Sequence, residues 1–487
     1  MDWRIISRYI GFSLLLVAAL MAVSGYIACE PEDESKNLLL LGTYLTGSVG
    51  ILPIIFIRKR PHRLSFSEGN CIVMGAWLLA CLFGMLPFLL YGGEFTLINA
   101  LFETVSGFTT TGASILNDIE SLPQGLQFWR ISTAWVGGVG IVTLLSRIAG
   151  GEDKSTLSGA EISDVAQDSF IGEKNASLAN RMLGTYIALT VATILSLRLT
   201  GMDLFDAATN AMSACSTCGF CIKNASIAYY DAPGAEVILT IAMLAASLHF
   251  DILFLAIFRG EPRLIWKSEA IKAFLWMVGL ATVVVTADLM IHGHYVSFVA
   301  ALRDASFQVA SISSTTGFAT QDTTLWPPLS MAILIVCSLI CGCSGSTSGG
   351  IKTDRAVLAV KGIRWRVEKT VDPDEAGSIR VDGRPRSDGQ ANDASSYILL
   401  YLFIAAVFAS INVALGLDFT TGVTASIACI GNVGPGFGDV GSMSNYADFP
   451  ALLKATGMLE MLIGRLEIFP VLYLIRSVRN CFGFRHT

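Results

Sequence analysis

The sequence predicts an all-α integral membrane protein: ten transmembrane helices and four half-length reentrant helices, set out as a pseudo-fourfold repeat. Three observations carry this. The chain has 487 residues, 53% of them hydrophobic and only 15% charged, whereas soluble proteins carry roughly 25% charge. Apolar stretches long enough to cross a bilayer recur along most of its length. Between the later ones, a short segment ending in Thr/Ser and Gly returns four times. A formal net charge of −6 argues against nucleic acid as a partner. The 11 cysteines sit mainly in apolar stretches and read as small buried hydrophobes rather than a disulfide framework.

A crossing takes about 20 apolar residues. The expected spans are 8–28, 37–57, 70–91, 126–146, 182–200, 235–258, 272–291, 328–351, 396–416 and 451–475. The first, in which Arg4 and Arg8 precede the apolar run Phe12–Ser24, is long for a signal peptide and reads as an uncleaved helix. Basic residues gather on one side: Arg58–Arg63, Arg147–Arg181, Arg259–Lys272, Lys352–Arg386 and Arg476–Arg485. By the positive-inside rule both termini are cytoplasmic. The other side carries acids such as Glu32, Asp118, Glu120, Asp322 and Asp439, either ordinary solvated loops or a mouth that concentrates cations.

The four recurring segments are Ala100–Ser114, Asp206–Phe220, Asp304–Phe318 and Thr421–Pro435. Their final glycines, Gly112, Gly219, Gly317 and Gly434, recur every 100 to 120 residues or so. Each segment has about ten helical residues, too few to cross. Non-helical backbone at membrane depth survives only where protein buries it or water lines it. Four such loops suggest a common axis, with Gly allowing positive φ and close backbone approach. Carbonyls facing that axis can replace a cation's hydration shell. Packing-only reentrant turns are the plainer alternative. The implied units are a two-helix preface (1–63), repeats at 64–150, 151–262, 263–362 and 395–487, and a cytoplasmic linker at 363–394.

The eighth span meets Gly342-Cys343-Ser344-Gly345-Ser346-Thr347-Ser348-Gly349-Gly350 before Lys352. Each glycine costs a helix about 1 kcal/mol relative to Ala, so a polar, non-helical break is expected. It is either a kink or a movable plug. Arg465 lies in an apolar stretch, where Arg at a helix centre costs about 2.5–3.5 kcal/mol. Neither Glu460 nor Glu467 stands three or four residues from it. It reads as facing a cavity and bonding the glycine-rich loop's carbonyls, with an interhelical ion pair as the alternative.

Thr109–Ser114, Ser313–Phe318, Ile430–Gly438, Cys343–Lys352, Met461–Pro470 and Trp129-Arg130 with Gly137-Gly138 together resemble the Trk/Ktr/HKT superfamily of potassium transporters, over nearly the whole chain and nearest in plan to its bacterial TrkH/TrkG branch. The resemblance implies a K⁺ filter at Thr110, Thr111 and Gly112; Thr217, Cys218 and Gly219; Thr315, Thr316 and Gly317; and Asn432, Val433 and Gly434. Glycine in all four repeats goes with potassium, and Ser at the first with sodium, in the plant relatives. Cys218 departs from the Thr of the first and third repeats. A gate would comprise Gly342, Gly345, Ser346, Thr347, Gly349, Gly350, Lys352 and Arg465. Potassium would be the transported ion, with no covalent cofactor. The resemblance further implies a homodimer in the bacterial plasma (inner) membrane, regulated by a cytosolic, nucleotide-binding RCK subunit of the TrkA kind.

Two other readings remain. Proton- or sodium-coupled symport would need intramembrane carboxylates, for which Glu103 and Glu460 are the candidates. A redox protein would use Cys215, Cys218 and Cys221, but the iron–sulfur spacing fails at Ala225. Gly345…Lys352-Thr353 lacks the Gly-Lys-Ser/Thr of a phosphate loop, because Ile351 intervenes. His249, His292 and His294 lack a ligand constellation, and His249 reads as a satisfied interior group. With no nucleophile–base set visible, no enzymatic activity is expected. The polar stretch 363–392 reads as a hydrophilic linker or, together with 151–180, as a docking surface for the regulatory subunit.

Overall fold

A computed structural model describes residues 2–28, 33–57, 65–140, 175–372 and 377–473. The basic residues expected at 58–63, 147–174 and 476–485, and most of the docking stretch 151–180, lie outside the described residues.

The preface is a helical hairpin of α1 (Trp3–Ile27), capped by Asp2, and α2 (Ser35–Phe56). Ser65 and Glu68 form a capping box that starts α3 (Phe66–Gly84), which continues after a one-residue turn as α4 (Leu86–Tyr91). Then come α5 (Leu97–Phe108), α6 (Gln124–Val139), α7 (Asn175–Leu199) and α8 (Leu204–Ser216). The chain goes on through α9 (Pro233–Ala246), α10 (Phe250–Phe258), α11 (Arg263–Lys267), α12 (Glu269–Ile291), α13 (Phe298–Ser313) and α14 (Pro328–Ile340). It closes with α15 (Thr353–Val371), β1 (Ile379–Val381), β2 (Arg384–Arg386), α16 (Asp388–Ala414), α17 (Phe419–Gly431) and α18 (Ala451–Leu466).

Six helical segments among the described residues are long and apolar enough to cross a membrane: Trp3–Ile27, Ser35–Phe56, Ser67–Tyr91, Asn180–Leu199, Glu269–Ile291 and Asp388–Ala414. Exposed Tyr44, Phe56, Trp276, Leu280, Leu399 and Phe403 cover their outer faces, where lipid rather than water suits them.

The structure departs from the expected spans in four places. The sixth, 235–258, is two helices bent by 112° at Ser247–His249. No glycine or proline stands at that break. Tertiary bonds hold it: the carbonyls of Ala246 and Ser247 accept the N–H groups of Thr347 (3.3 Å) and Cys343 (2.8 Å). The fourth, eighth and tenth spans are shorter helices that stop at residues of positive φ: Gly140 (+80°), Cys341 (+61°) and Glu467 (+62°).

The 363–394 linker is likewise folded. Its first part continues α15, its last starts α16, and β1 and β2 pair antiparallel between them. Lys361 pairs with Glu269 and donates to the Arg380 carbonyl (2.6 Å), while the Glu269 N–H donates to Asp382 (2.6 Å). These bonds dock the hairpin on the start of α12, so the chain is not strictly all-α. The largest apolar core joins α1 and α3 to α5, α6, α17 and α18, including Trp77, Phe102, Phe108, Trp129 and Met461.

Candidate functional site

Helices α5, α8, α13 and α17 start alike, on Thr96, Asp203, Ser297 and Asp418; all but Ser297 cap an N–H with the side chain. They also end alike. The N–H groups of Thr110, Thr217, Thr315 and Asn432 bond carbonyls three residues back, and those of Thr111, Cys218, Thr316 and Val433 bond carbonyls five back, at 2.8–3.2 Å. This is the Schellman ending, whose left-handed residue is normally Gly. Here Thr, Thr, Thr and Asn hold it, with φ of +54°, +54°, +62° and +53°. Such strain, about 1–3 kcal/mol per residue, persists only where the surroundings over-determine it.

Two residues on, Gly112, Gly219, Gly317 and Gly434 also have positive φ. Their neighbours close a ring. A Cβ on Gly112 would lie 1.8 Å from Cys218 O, one on Gly219 1.9 Å from Thr316 O, one on Gly317 2.4 Å from Val433 O, and one on Gly434 2.5 Å from Thr111 O. Each segment thus abuts the next, and the fourth returns to the first. The loops that follow close a second ring: Ile119 N–H donates to Asn224, Ala228 N–H to Ala319 O, Thr323 N–H to Ser442, and Tyr446 N–H to Ser114 O. Asn224 also donates to Asp118 and holds that carboxyl below its usual range, so this loop keeps its charge into mild acid.

The twelve candidate filter residues thus come together in four sets of three. None carries a charge, so any selectivity among cations rests on backbone and hydroxyl oxygens, the chemistry suited to a dehydrated alkali ion. The fourth set differs in its polar side chain: Asn432 Nδ2 donates to Thr111 Oγ1 and Met461 O, both at 3.0 Å.

Glu103 and Arg130 support the ring from behind. Arg130 Nε bonds Glu103 (2.5 Å), its Nη1 donates to Cys221 O (2.9 Å), and its guanidinium stacks on Phe220. Glu103 also accepts from Ser114 Oγ and the Ile115 N–H, both at 3.0 Å. This carboxylate, a candidate for proton transfer on sequence grounds, is fully engaged in joining the first two filter segments. Removing one partner of a buried pair leaves an uncompensated charge, at about 3–5 kcal/mol. Glu103→Gln should therefore lower the Tm of the detergent-solubilised protein. A Tm equal to the parent's would deny the pair its supporting role.

The glycine-rich loop lies directly against the candidate filter. Thr315 Oγ1 accepts the Gly349 N–H (2.9 Å), and Thr347 Oγ1 donates to Cys215 O (3.0 Å). Lys352 Nζ turns back to Ser348 O. Arg465 donates to Thr347 O (2.8 Å) and, from across the cavity, to Gly137 O (2.6 Å) and Gly138 O (3.1 Å). It thereby spans α18, the loop and the end of α6. Glu467 pairs with Arg355 instead (2.7 Å). A cavity of about 120 Å³ lies among Trp77, Tyr186, Gly345, Gly349, Lys352 and Arg465. Gly342, Ser346 and Gly350 complete the loop; Ser346 Oγ bonds Cys343 O (2.6 Å).

Sequence reasoning missed the Gly137 and Gly138 carbonyls as acceptors for Arg465. It also missed Ala246 and Ser247 as the loop's anchor, whose one local trace is the polar run Ser247, His249 and Asp251 inside an apolar stretch. The cysteine triplet does not assemble as a redox centre among the described residues: Cys218 lies in the candidate filter ring, Cys215 sits beside Thr193 and Cys221 beside Asn210.

Comparison with known proteins bears on the chain's family and overall fold. Residues 48–480 match the family model TrkH, described as a cation transport protein. The Trk system potassium uptake protein TrkH of Escherichia coli K12 is 30% identical over 97% of this chain and 98% of its own length. TrkG of the same organism is 27% identical over 97% of each. The crystal structure of the potassium transporter TrkH from Vibrio parahaemolyticus superposes with a TM-score of 0.87 at 28% identity, covering 98% of this chain and 99% of that one.

Proposed function

The chain belongs to the TrkH family of cation transport proteins, and we propose from this premise that it is a potassium uptake protein of the Trk system whose pore runs through the ring of four filter segments. It is a transport protein and not an enzyme. The observation that carries the proposal is the closure of the ring, with each glycine abutting the backbone of the next segment. Four neutral, carbonyl-rich segments from one chain suit a single K⁺ path, on which binding must stay weak enough for exit. K⁺ enters as substrate and gives up water at the backbone oxygens of Thr110–Gly112, Thr217–Gly219, Thr315–Gly317 and Asn432–Gly434. It leaves through the cavity when the loop from Gly342 to Lys352 moves away from Arg465.

In this reading the chain is a preface and four units of span, reentrant helix and second span. The broken sixth, eighth and tenth elements are spans interrupted where the loop docks. The protein lies in the bacterial inner membrane with both termini cytoplasmic, forms a homodimer, and takes its regulatory signal from a cytosolic RCK subunit. Proton-coupled symport is the second reading, favoured by one observation: Glu460 is fully buried, accepts from Ser426 Oγ at one oxygen, has no cationic partner among the described residues, and has its other oxygen, Oε2, without a hydrogen-bond partner among them.

Rubidium uptake into proteoliposomes tests the main reading. Uptake should follow the membrane potential without a proton gradient and resist excess sodium. Uptake that needs a proton gradient would move the assignment to symport, and equal competition by sodium would remove potassium selectivity.

A further inference from the structure

Three metal-ligating side chains, remote from one another in sequence, meet at the root of the glycine-rich loop. His249 stands at the break between α9 and α10, Cys343 is in the loop, and Asp354 is in the first turn of α15. His249 Nε2 is 3.1 Å from Asp354 Oδ1, and the three donor atoms lie within 4.8 Å of one another. All three residues are buried, and Cys343 is a free thiol. Their orientation is fixed from outside the cluster. The Ser344 N–H donates to the other Asp354 oxygen (2.6 Å), and the Cys343 N–H donates to the Ser247 carbonyl (2.8 Å) two residues before His249. A backbone bond on the far carboxylate oxygen is one way ligands are oriented around a bound metal.

We propose that His249, Cys343 and Asp354 form a site for a borderline-soft divalent transition metal, best matched by zinc, that ties the glycine-rich loop to the α9–α10 break and to the start of α15. One nitrogen, one sulfur and one oxygen donor suit zinc, whereas magnesium, calcium and the potassium cargo favour oxygen alone. Tetrahedral zinc with bonds of about 2.0–2.3 Å sets its ligands roughly 3.3–3.7 Å apart. The His249–Asp354 separation is already close to such an edge, and the Cys343 sulfur needs to close by about 1 Å. An ordinary histidine–aspartate ion pair accounts for two of the residues and leaves the thiol's position unused. Ser344, Gly345 and Phe250 line the cavity, so an ion reaches the cluster from there, with the fourth coordination position left for water. The sequence alone gave His249 no companions, because its two partners arrive only through the folding of the loop.

The effect on transport rests on reading that loop as the gate: a metal joining three elements holds the loop where it lies and lowers flux. The test uses the purified full chain. Cobalt(II) serves as the spectroscopic probe, and zinc is titrated against a chelating indicator. One metal per chain is expected, with a thiolate-to-cobalt charge-transfer band that disappears in Cys343→Ser and persists in Asp354→Asn. Zinc affinity should fall at least about tenfold in each variant. Absence of the band, or equal affinity in all three proteins, overturns the site. In proteoliposomes zinc should reduce rubidium flux through the parent but not through Cys343→Ser, each normalised to its own metal-free flux. Binding without loss of flux overturns the restraint on the loop. Metal-free rubidium flux reports on the transport reading separately, and metal binding does not depend on it.

Discussion

Gly112→Ser should lower the preference for potassium over sodium by about 10- to 100-fold. Two costs act on the substitution. The positive φ of +79° penalises any side chain by about 1–3 kcal/mol, but Thr110, Thr217, Thr315 and Asn432 show that this fold sustains left-handed residues. The larger cost is steric: the new Cβ would lie 1.8 Å from Cys218 O, a backbone atom that no rotamer change can move. The first two filter segments must separate, and their carbonyls leave the positions that matched a dehydrated potassium ion. Each 1.4 kcal/mol lost for potassium relative to sodium is a factor of ten. The same logic ranks the ring. Alanine at Gly112 or Gly219, with contacts at 1.8 and 1.9 Å, should disturb selectivity more than at Gly317 or Gly434, at 2.4 and 2.5 Å. Gly279, with nothing within 4 Å of its Cβ position, supplies the control. Rubidium-to-sodium flux ratios measure the effect, and an unchanged ratio in Gly112→Ser would remove Gly112 from the filter.

The second large effect is expected at Arg465. Its guanidinium reaches Thr347 O on the loop and Gly137 O and Gly138 O on the end of α6, so it latches the loop and places positive charge beside the cavity. A hydrogen bond from a charged donor contributes about 1.5–3 kcal/mol. Arg465→Gln should therefore raise flux in the absence of the regulatory subunit by about 10- to 100-fold. Lysine keeps the charge but not the planar fork that spans separated carbonyls. If the latch dominates, Arg465→Lys should leak nearly as much as Arg465→Gln. If charge repulsion dominates, it should stay close to the parent. Closed-state rubidium flux that is the same in all three proteins would remove Arg465 from the gate.

The four segments of the proposed filter stood out in the sequence because their signal is local and repeated. Four half-length segments cannot cross a bilayer, and each closes on a glycine, after Thr-Thr, Thr-Cys, Thr-Thr and Asn-Val in turn. The glycine-rich loop and Arg465 stood out because each breaks a rule of its surroundings, helix propensity in one case and charge in an apolar stretch in the other. The bend at Ser247–His249 left almost no local sign, since bonds from Cys343 and Thr347 hold it in place of proline or glycine. The same holds for the Glu103–Arg130 support, two residues that look like isolated intramembrane charges until the first and second filter segments pack together. The linker at 363–394 read only as hydrophilic for the opposite reason: its polar composition says nothing of the bonds among Lys361, Glu269 and Asp382, which dock its hairpin onto α12.

What the sequence determined by itself was therefore the solvent, the fourfold recurrence of a short segment and the glycine-rich break after the eighth apolar stretch, because lipid, periodicity and glycine act on each stretch of chain where it stands. Which carbonyl each glycine faces, which oxygen Arg465 holds, and which side chains surround His249 were decided only by tertiary structure. Those are contacts between residues tens to hundreds of positions apart, and their energies exist only once the ring has closed.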